Sequence, residues 1–282
     1  MAGPRSLVLV ANPRAGSAEP DGVEARLRAG GAAVRTVPFG EVGHADLEGA
    51  DRVVVAGGDG SIAPAAELAG RAGIPVAVVP AGTANDFARA LGIPDDADAA
   101  CSLALEGERL ARLELGRVGE RPFVNVASAG LPPMAARRAS GLKAALGPFA
   151  YAVGALRAGL TAKALDCRLS CDGREVHHGP AWQVTVACSG AFGGGASVDA
   201  DPADGKLDAV AIPAGSRLSL AWRAFGLRSG RVERQSDVES ARCREAVLEA
   251  DAEFSMNVDG EVCRFGPARF TVEPGAFELV IP

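Results

Sequence analysis

Three short apolar runs in the first third of the chain each stop at a turn-forming residue and lead into a helical pattern. Residues 7–10 stop at Ala11-Asn12-Pro13, residues 53–56 at Gly57-Gly58, and residues 76–79 at Pro80-Ala81-Gly82. Runs this short, rich in valine and bounded by turn residues, read as buried strands. A further strand is expected over residues 32–37. Helical patterns cover residues 23–27, 61–72 and 85–91, the last stopped by Gly92 and Pro94. Strands alternating with helices imply a mostly parallel sheet. Ligands of such sheets bind beyond the carboxyl ends of the strands, so Asn12, Gly57 and Gly82 are expected to face one crevice.

The chain changes character near residue 110. Short strand signals follow at residues 111–115, 123–128, 165–170, 182–189 and 207–212, separated by turns such as Cys171-Asp172-Gly173 and Asp204-Gly205. One helical stretch, residues 131–160, interrupts them, and an apolar strand at residues 277–281 ends the chain. For 282 residues two domains are the natural division. The expected architecture is α/β plus all-β. An α/β domain takes residues 1–115, and a β-rich domain takes residues 116–274.

The loops carry the chemistry. Gly57-Gly58-Asp59-Gly60-Ser61 follows a strand and opens a helix. Two glycines let the backbone turn tightly and approach a ligand, and the helix offers its N-terminal N–H groups and positive dipole end. Asp59 would repel bare phosphate, and a Mg²⁺ ion between them resolves the conflict. The competing reading is a tight turn in which Asp59 and Ser61 cap the helix. Thr83, in Pro80-Ala81-Gly82-Thr83-Ala84-Asn85-Asp86, can donate to phosphate. Asn85 and Asp86 can hold ribose or metal, or simply cap the next helix. Asn12-Pro13-Arg14-Ala15-Gly16 forms a third loop, otherwise an ordinary turn.

Composition removes other classes. Hydrophobic residues make up 48% of the chain, enough for a sizeable core, while aromatics are only 5%, so Ala, Val and Leu must fill it. A net charge of −6 argues against broad binding to nucleic acid. The six cysteines and three histidines show no zinc-ligand spacing and read as reduced, mostly buried thiols and isolated imidazoles. The first apolar run is too short for an export signal, and no stretch approaches the roughly 18 apolar residues of a membrane span. The expectation is a soluble cytoplasmic protein with no transmembrane segment. Basic residues Arg137, Arg138 and Lys143 lie beside Leu142, Leu146 and Phe149, which reads as a membrane-facing patch or a solvated helix face. Trp222, Phe225, Leu227, Arg228 and Arg231 carry the same ambiguity.

Taken together, Asn12-Pro13…Gly16, Gly57-Gly58-Asp59-Gly60-Ser61, the stretch from Ile74 to Arg89, Ala191-Phe192-Gly193-Gly194-Gly195, Asp204-Gly205-Lys206-Leu207-Asp208 and Val258-Asp259-Gly260-Glu261 resemble the diacylglycerol kinase catalytic-domain superfamily. The likeness covers nearly the whole chain and is strongest to bacterial lipid kinases related to diacylglycerol and sphingosine kinases. The first two loops are shared with NAD kinases; the last three motifs point to lipid kinases. The resemblance implies an α/β nucleotide-binding domain of residues 1–115 plus about 275–282, a C-terminal β-sandwich, and a last strand returning to the first domain. It implies ATP at Asn12, Pro13, Arg14, Ala15 and Gly16, at Gly57, Gly58, Asp59, Gly60, Ser61, Ile62 and Ala63, and at Gly82, Thr83, Asn85 and Asp86. It places Asp59 in a Mg²⁺–phosphate network and makes Glu261 the general base that accepts the proton of a lipid hydroxyl. A structural Mg²⁺ is implied at Asp201, Asp204 and Lys206, the last through its backbone carbonyl.

Read without the resemblance, Asp259-Gly260 is a hairpin turn and Glu261 a solvated side chain, and residues 199–205 are a capped acidic turn. Two departures stand out. Ser61 replaces a usual Thr and keeps the hydroxyl. Ala63-Pro64 replaces a usual Asn-Glu pair, with Pro64 expected in the first helical turn. The leading expectation is an ATP-dependent lipid kinase that meets its substrate at the membrane surface. An NAD kinase-like enzyme and an inactive nucleotide-binding regulatory module are the alternatives. The acceptor lipid and the oligomeric state, a homodimer included, stay open at this level.

Overall fold

The computed structural model describes residues 5–12, 20–130, 163–192, 196–197, 200–216 and 238–282. The chain divides into two compact units. The first comprises Met1–Asn125, Pro202–Gly205 and Glu273–Pro282; the second comprises Val126–Asp201 and Lys206–Val272.

The first unit is the α/β half. Its strands are β1 (Ser6–Ala11), β2 (Ala33–Pro38), β3 (Arg52–Gly57), β4 (Val76–Pro80) and the end of β17 (Ala268–Val280), in the order β2-β1-β3-β4-β17, all parallel. Val53, Val54 and Val55 are fully buried because helices cover both faces of the sheet. The helices are α1 (Pro20–Ala29), α2 (Asp59–Ala72), α3 (Asp86–Ala90) and α4 (Ala97–Glu106). Ala63, Ala65, Ala66 and Ala69 form the buried face of α2, and their small side chains let the helix lie close to the sheet. At Gly70 a Cβ would come within 2.1 Å of the Ala276 carbonyl oxygen, so glycine is required for β17 to pass. Helix α2 ends at Gly73, in the left-handed conformation, with Ile74 N–H donating back to Ala69 O at 2.9 Å. Strands β5 (Leu110–Val118) and β6 (Arg121–Phe123) complete this unit.

Two local expectations are corrected. Helix α2 begins at Asp59 rather than residue 61, so Pro64 is its sixth residue and not part of the first turn. The helix nonetheless continues through Pro64 to Ala72, held by its buried alanine face. The strand expected over residues 123–128 is interrupted at Val124-Asn125, with β6 ending at Phe123 and β7 starting at Val126.

The second unit is antiparallel. It contains β7 (Val126–Gly130), β8 (Leu165–Cys171), β9 (Arg174–Ala187), β12 (Leu207–Pro213), β13 (Glu239–Cys243), β14 (Glu245–Ala250), β15 (Phe254–Val258), β16 (Glu261–Phe265) and the start of β17; the short strands β10 (Ala191–Phe192) and β11 (Ala196–Ser197) pair with each other. Its strand order is β16-β15-β7-β9-β8-β14-β17, with β12 pairing β9 and β13. Val126, Trp182, Ala187, Val210 and Ile212 form a buried apolar cluster there. Cys101, Cys167, Cys171, Cys188 and Cys243 are buried and form no disulfide, and burial pushes the Cys167 thiol up to about 11. No helix among the described residues is long and apolar enough to cross a membrane. The helical stretch expected over residues 131–160 and both basic-apolar runs lie outside the described residues.

Candidate nucleotide-binding site

Three strand ends of the first unit converge as the alternation of strands and helices requires. Asn12 leaves β1 and its N–H donates to Ala56 O of β3 at 3.1 Å. Its side-chain Nδ2 donates to Ser61 Oγ at 2.8 Å, and Ser61 is 2% exposed. Ala81 N–H, after β4, donates to Gly57 O at 2.9 Å. The loops after β1, β3 and β4 are therefore joined by direct hydrogen bonds. Pro13, Arg14, Ala15 and Gly16 lie outside the described residues.

The glycines have a steric reason. A Cβ on Gly57 would lie 2.6 Å from Ser61 Oγ. A Cβ on Gly82 would lie 2.6 Å from Gly58 Cα, and one on Gly58 would lie 3.2 Å from Gly82 Cα. The two loops cross backbone on backbone, and only residues without side chains permit it. Gly58 caps α2 without any side-chain acceptor. The first turn of α2 thus starts from a bare backbone, the arrangement that receives anions at helix N-termini.

Asp59 does something the sequence did not disclose. It is the first residue of α2, yet its carboxylate serves α3. Oδ1 accepts from Phe87 N–H at 2.9 Å, and Oδ2 accepts from Asp86 N–H at 3.2 Å. Asn125 Nδ2 adds a third bond, to Oδ1 at 3.0 Å. The capping expected of Asn85 and Asp86 is therefore supplied from 27 residues away. Asn85, in left-handed conformation at φ 51°, turns its Oδ1 back to Gly82 N–H at 2.9 Å, and Asp86 pairs with Arg89 at 3.2 Å. Ile62 and Ala63 are buried in the core, whereas Thr83 is exposed on the loop.

Two further polar residues were missed. Glu114 is 1% exposed between buried Leu113 and Leu115; its Oε2 accepts from Gly205 N–H at 2.6 Å and its N–H donates to Pro202 O at 3.0 Å. It holds the turn at residues 202–205, next to Asp201 and Lys206, which are exposed. Asn125 is 3% exposed after buried Phe123 and Val124. The available signal for Asn125 was one polar residue inside the apolar run of residues 123–127; Glu114, in the alternating stretch of residues 110–118, gave none. Among the described residues no group of three or more His, Cys, Asp and Glu side chains is placed to hold a metal ion.

In the second unit Glu261 starts β16, exposed, after a two-residue hairpin. Asp259 and Gly260 have φ of 45° and 93°, and Val258 pairs with Glu261 across the turn. Positive φ at both central residues is the Asp-Gly hairpin geometry, so the turn expected here is present. Asp259 is 7% exposed; its Oδ1 accepts from Val126 N–H at 3.0 Å and its own N–H donates to Val126 O at 3.1 Å. The turn that carries Glu261 is thereby pinned to the start of β7.

Two family models match successive parts of the chain. Residues 6–118 match the family described as diacylglycerol kinase catalytic domain. Residues 125–281, more than half of the chain, match the YegS C-terminal NAD kinase beta sandwich-like domain. A diacylglycerol kinase of Staphylococcus aureus (strain JH9) is 28% identical over 235 residues, covering 82% of this chain and 74% of that protein. The crystal structure of a diacylglycerol kinase from Bacillus anthracis str. Sterne superposes with a TM-score of 0.76 at 20% identity, covering 99% of this chain and 97% of the other. A second structure from the same organism gives a TM-score of 0.78. An α/β half followed by an antiparallel sandwich-like half is the plan of both, and the chain belongs to the diacylglycerol kinase catalytic-domain superfamily, a family of lipid kinases.

Proposed function

We propose that this lipid kinase transfers the γ-phosphoryl group of ATP to the hydroxyl of diacylglycerol or a related lipid alcohol. The observation that carries the nucleotide assignment is the crossing of Gly58 and Gly82, which packs the loops after β3 and β4 backbone on backbone and starts α2 from a glycine with no side-chain cap. Backbone N–H groups at the start of α2 receive the phosphates, and Thr83, exposed beside them, donates its hydroxyl. Asn12, fixed through Ser61, keeps the β1 loop in register with the glycines.

Magnesium fits the chemistry of the donors: the Asp59 carboxylate, on which Oδ2 carries one hydrogen bond and so keeps acceptor capacity, is a hard oxygen ligand. Bound with the nucleotide, the ion would neutralise charge on the transferring phosphates. A second, structural ion would take Asp201, Asp204 and the Lys206 carbonyl. Glu261 accepts the proton of the attacking hydroxyl, a task for an accessible carboxylate on a fixed turn. The lipid is presented at a membrane surface, with the enzyme cytoplasmic, peripherally bound and able to act as a homodimer.

The test is ATP turnover with a lipid panel in mixed micelles. Wild type should yield a phosphorylated lipid identified by mass. Glu261→Gln should lose roughly 10²–10⁴-fold in kcat with ATP affinity retained. Phosphorylation of NAD and of no lipid would sink the lipid assignment, and ATP binding without turnover on any acceptor would favour a regulatory module.

A further inference from the structure

Asn125 presents a buried amide where the surrounding sequence is apolar. It follows Phe123 and Val124, at 0% and 1% exposure, and is itself 3% exposed. Burying an amide without partners costs about 1–3 kcal/mol, and a leucine would pack there without that cost. Asn125 donates Nδ2 to Asp59 Oδ1 at 3.0 Å, across 66 residues of chain. Oδ1 also receives Phe87 N–H, so both of its lone pairs are engaged. Among the described residues Oδ2 receives Asp86 N–H alone, at a longer 3.2 Å. The carboxylate is thus anchored by one oxygen and retains capacity on the other.

Resting on the nucleotide reading above, we propose that Asn125 is a positioning residue of the phosphate site. Its amide, together with Phe87 N–H, saturates Oδ1 of Asp59 and reserves Oδ2 for the phosphate-bound cation. Without Asn125 the carboxylate keeps its two backbone donors on α3 but loses the bond that fixes which oxygen is spent. Asn125 touches neither nucleotide nor metal in this arrangement; it acts through Asp59. Partners that orient a ligating carboxylate typically matter 10–100-fold.

The experiment compares wild type, Asn125→Ala and Asn125→Ser. Calorimetric ATP binding with and without Mg²⁺, thermal melting and lipid-kinase kinetics are measured on each full chain. Asn125→Ala and Asn125→Ser should bind ATP alone like wild type but lose most of the Mg²⁺-dependent gain, with kcat down roughly 10–100-fold and KM for lipid unchanged. If a folded Asn125→Ala or Asn125→Ser keeps the Mg²⁺ gain and kcat within about twofold of wild type, the proposal is wrong. A wild type that binds Mg-ATP yet phosphorylates no lipid removes the lipid reading alone, and the Mg²⁺ gain still decides Asn125. A wild type that binds no Mg-ATP overturns both.

Discussion

The glycine crossing after β3 and β4 and the Asp259-Gly260 hairpin both use Asp and Gly at a sharp turn, for opposite reasons. At Gly58 and Gly82 the need is space, because each backbone lies where the other's Cβ would be. At Gly260 a Cβ would meet nothing within 4 Å, and the need is conformational, because φ is 93°. The aspartates share a logic instead. Asp59 spends its carboxylate on the N-terminus of α3, and Asp259 spends its own on Val126 N–H. A turn residue whose side chain fastens a remote backbone converts a local bend into a fixed tertiary point. The crossing is built by packing and tolerates no atom; the hairpin is built by backbone preference and tolerates strain.

Substitutions should separate these two kinds of turn. Gly82→Ala should have the largest effect. Its methyl meets Gly58 Cα at 2.6 Å and Asn85 Oδ1 at 2.8 Å, so backbone must move and the cradle distorts. Nucleotide binding should be abolished and stability fall by about 1–3 kcal/mol, read by calorimetric titration and denaturant unfolding. Wild-type ATP affinity in this variant would show that the crossing is not a cradle. Asp259→Ala comes next. It leaves Val126 N–H without its acceptor and should cost about 1–3 kcal/mol while ATP affinity stays unchanged. Gly260→Ala should be mildest, costing about 1–2 kcal/mol from the left-handed backbone alone, again with ATP affinity intact. A loss of ATP binding in either hairpin variant would erase the distinction.

Much of the architecture was legible because periodicity is a local property. The strand at residues 53–56 and the turn at Gly57-Gly58 follow from a valine run meeting two glycines, and the structure has β3 and the α2 N-terminus there. The Asp172-Gly173 and Asp259-Gly260 hairpins were equally readable, since the dipeptide selects its own turn. Helix α2 starting two residues early reflects what local pattern lacks: a glycine cap bears no side-chain signal.

What the sequence alone determined is the order of elements, the two-part division in outline, and the three loops after strand ends, each following from residue-level preferences. Only the tertiary structure decided what the polar side chains do. The capping alternative for Asp59 concerned its own helix, whereas its carboxylate caps α3; Asn85, a candidate cap, holds Gly82; Asn125 and Glu114, which drew no reading from the sequence, are buried partners of Asp59 and Gly205. The physical reason is that a buried polar group must find a partner, and which partner depends on which distant backbone the packing brings within about 3 Å.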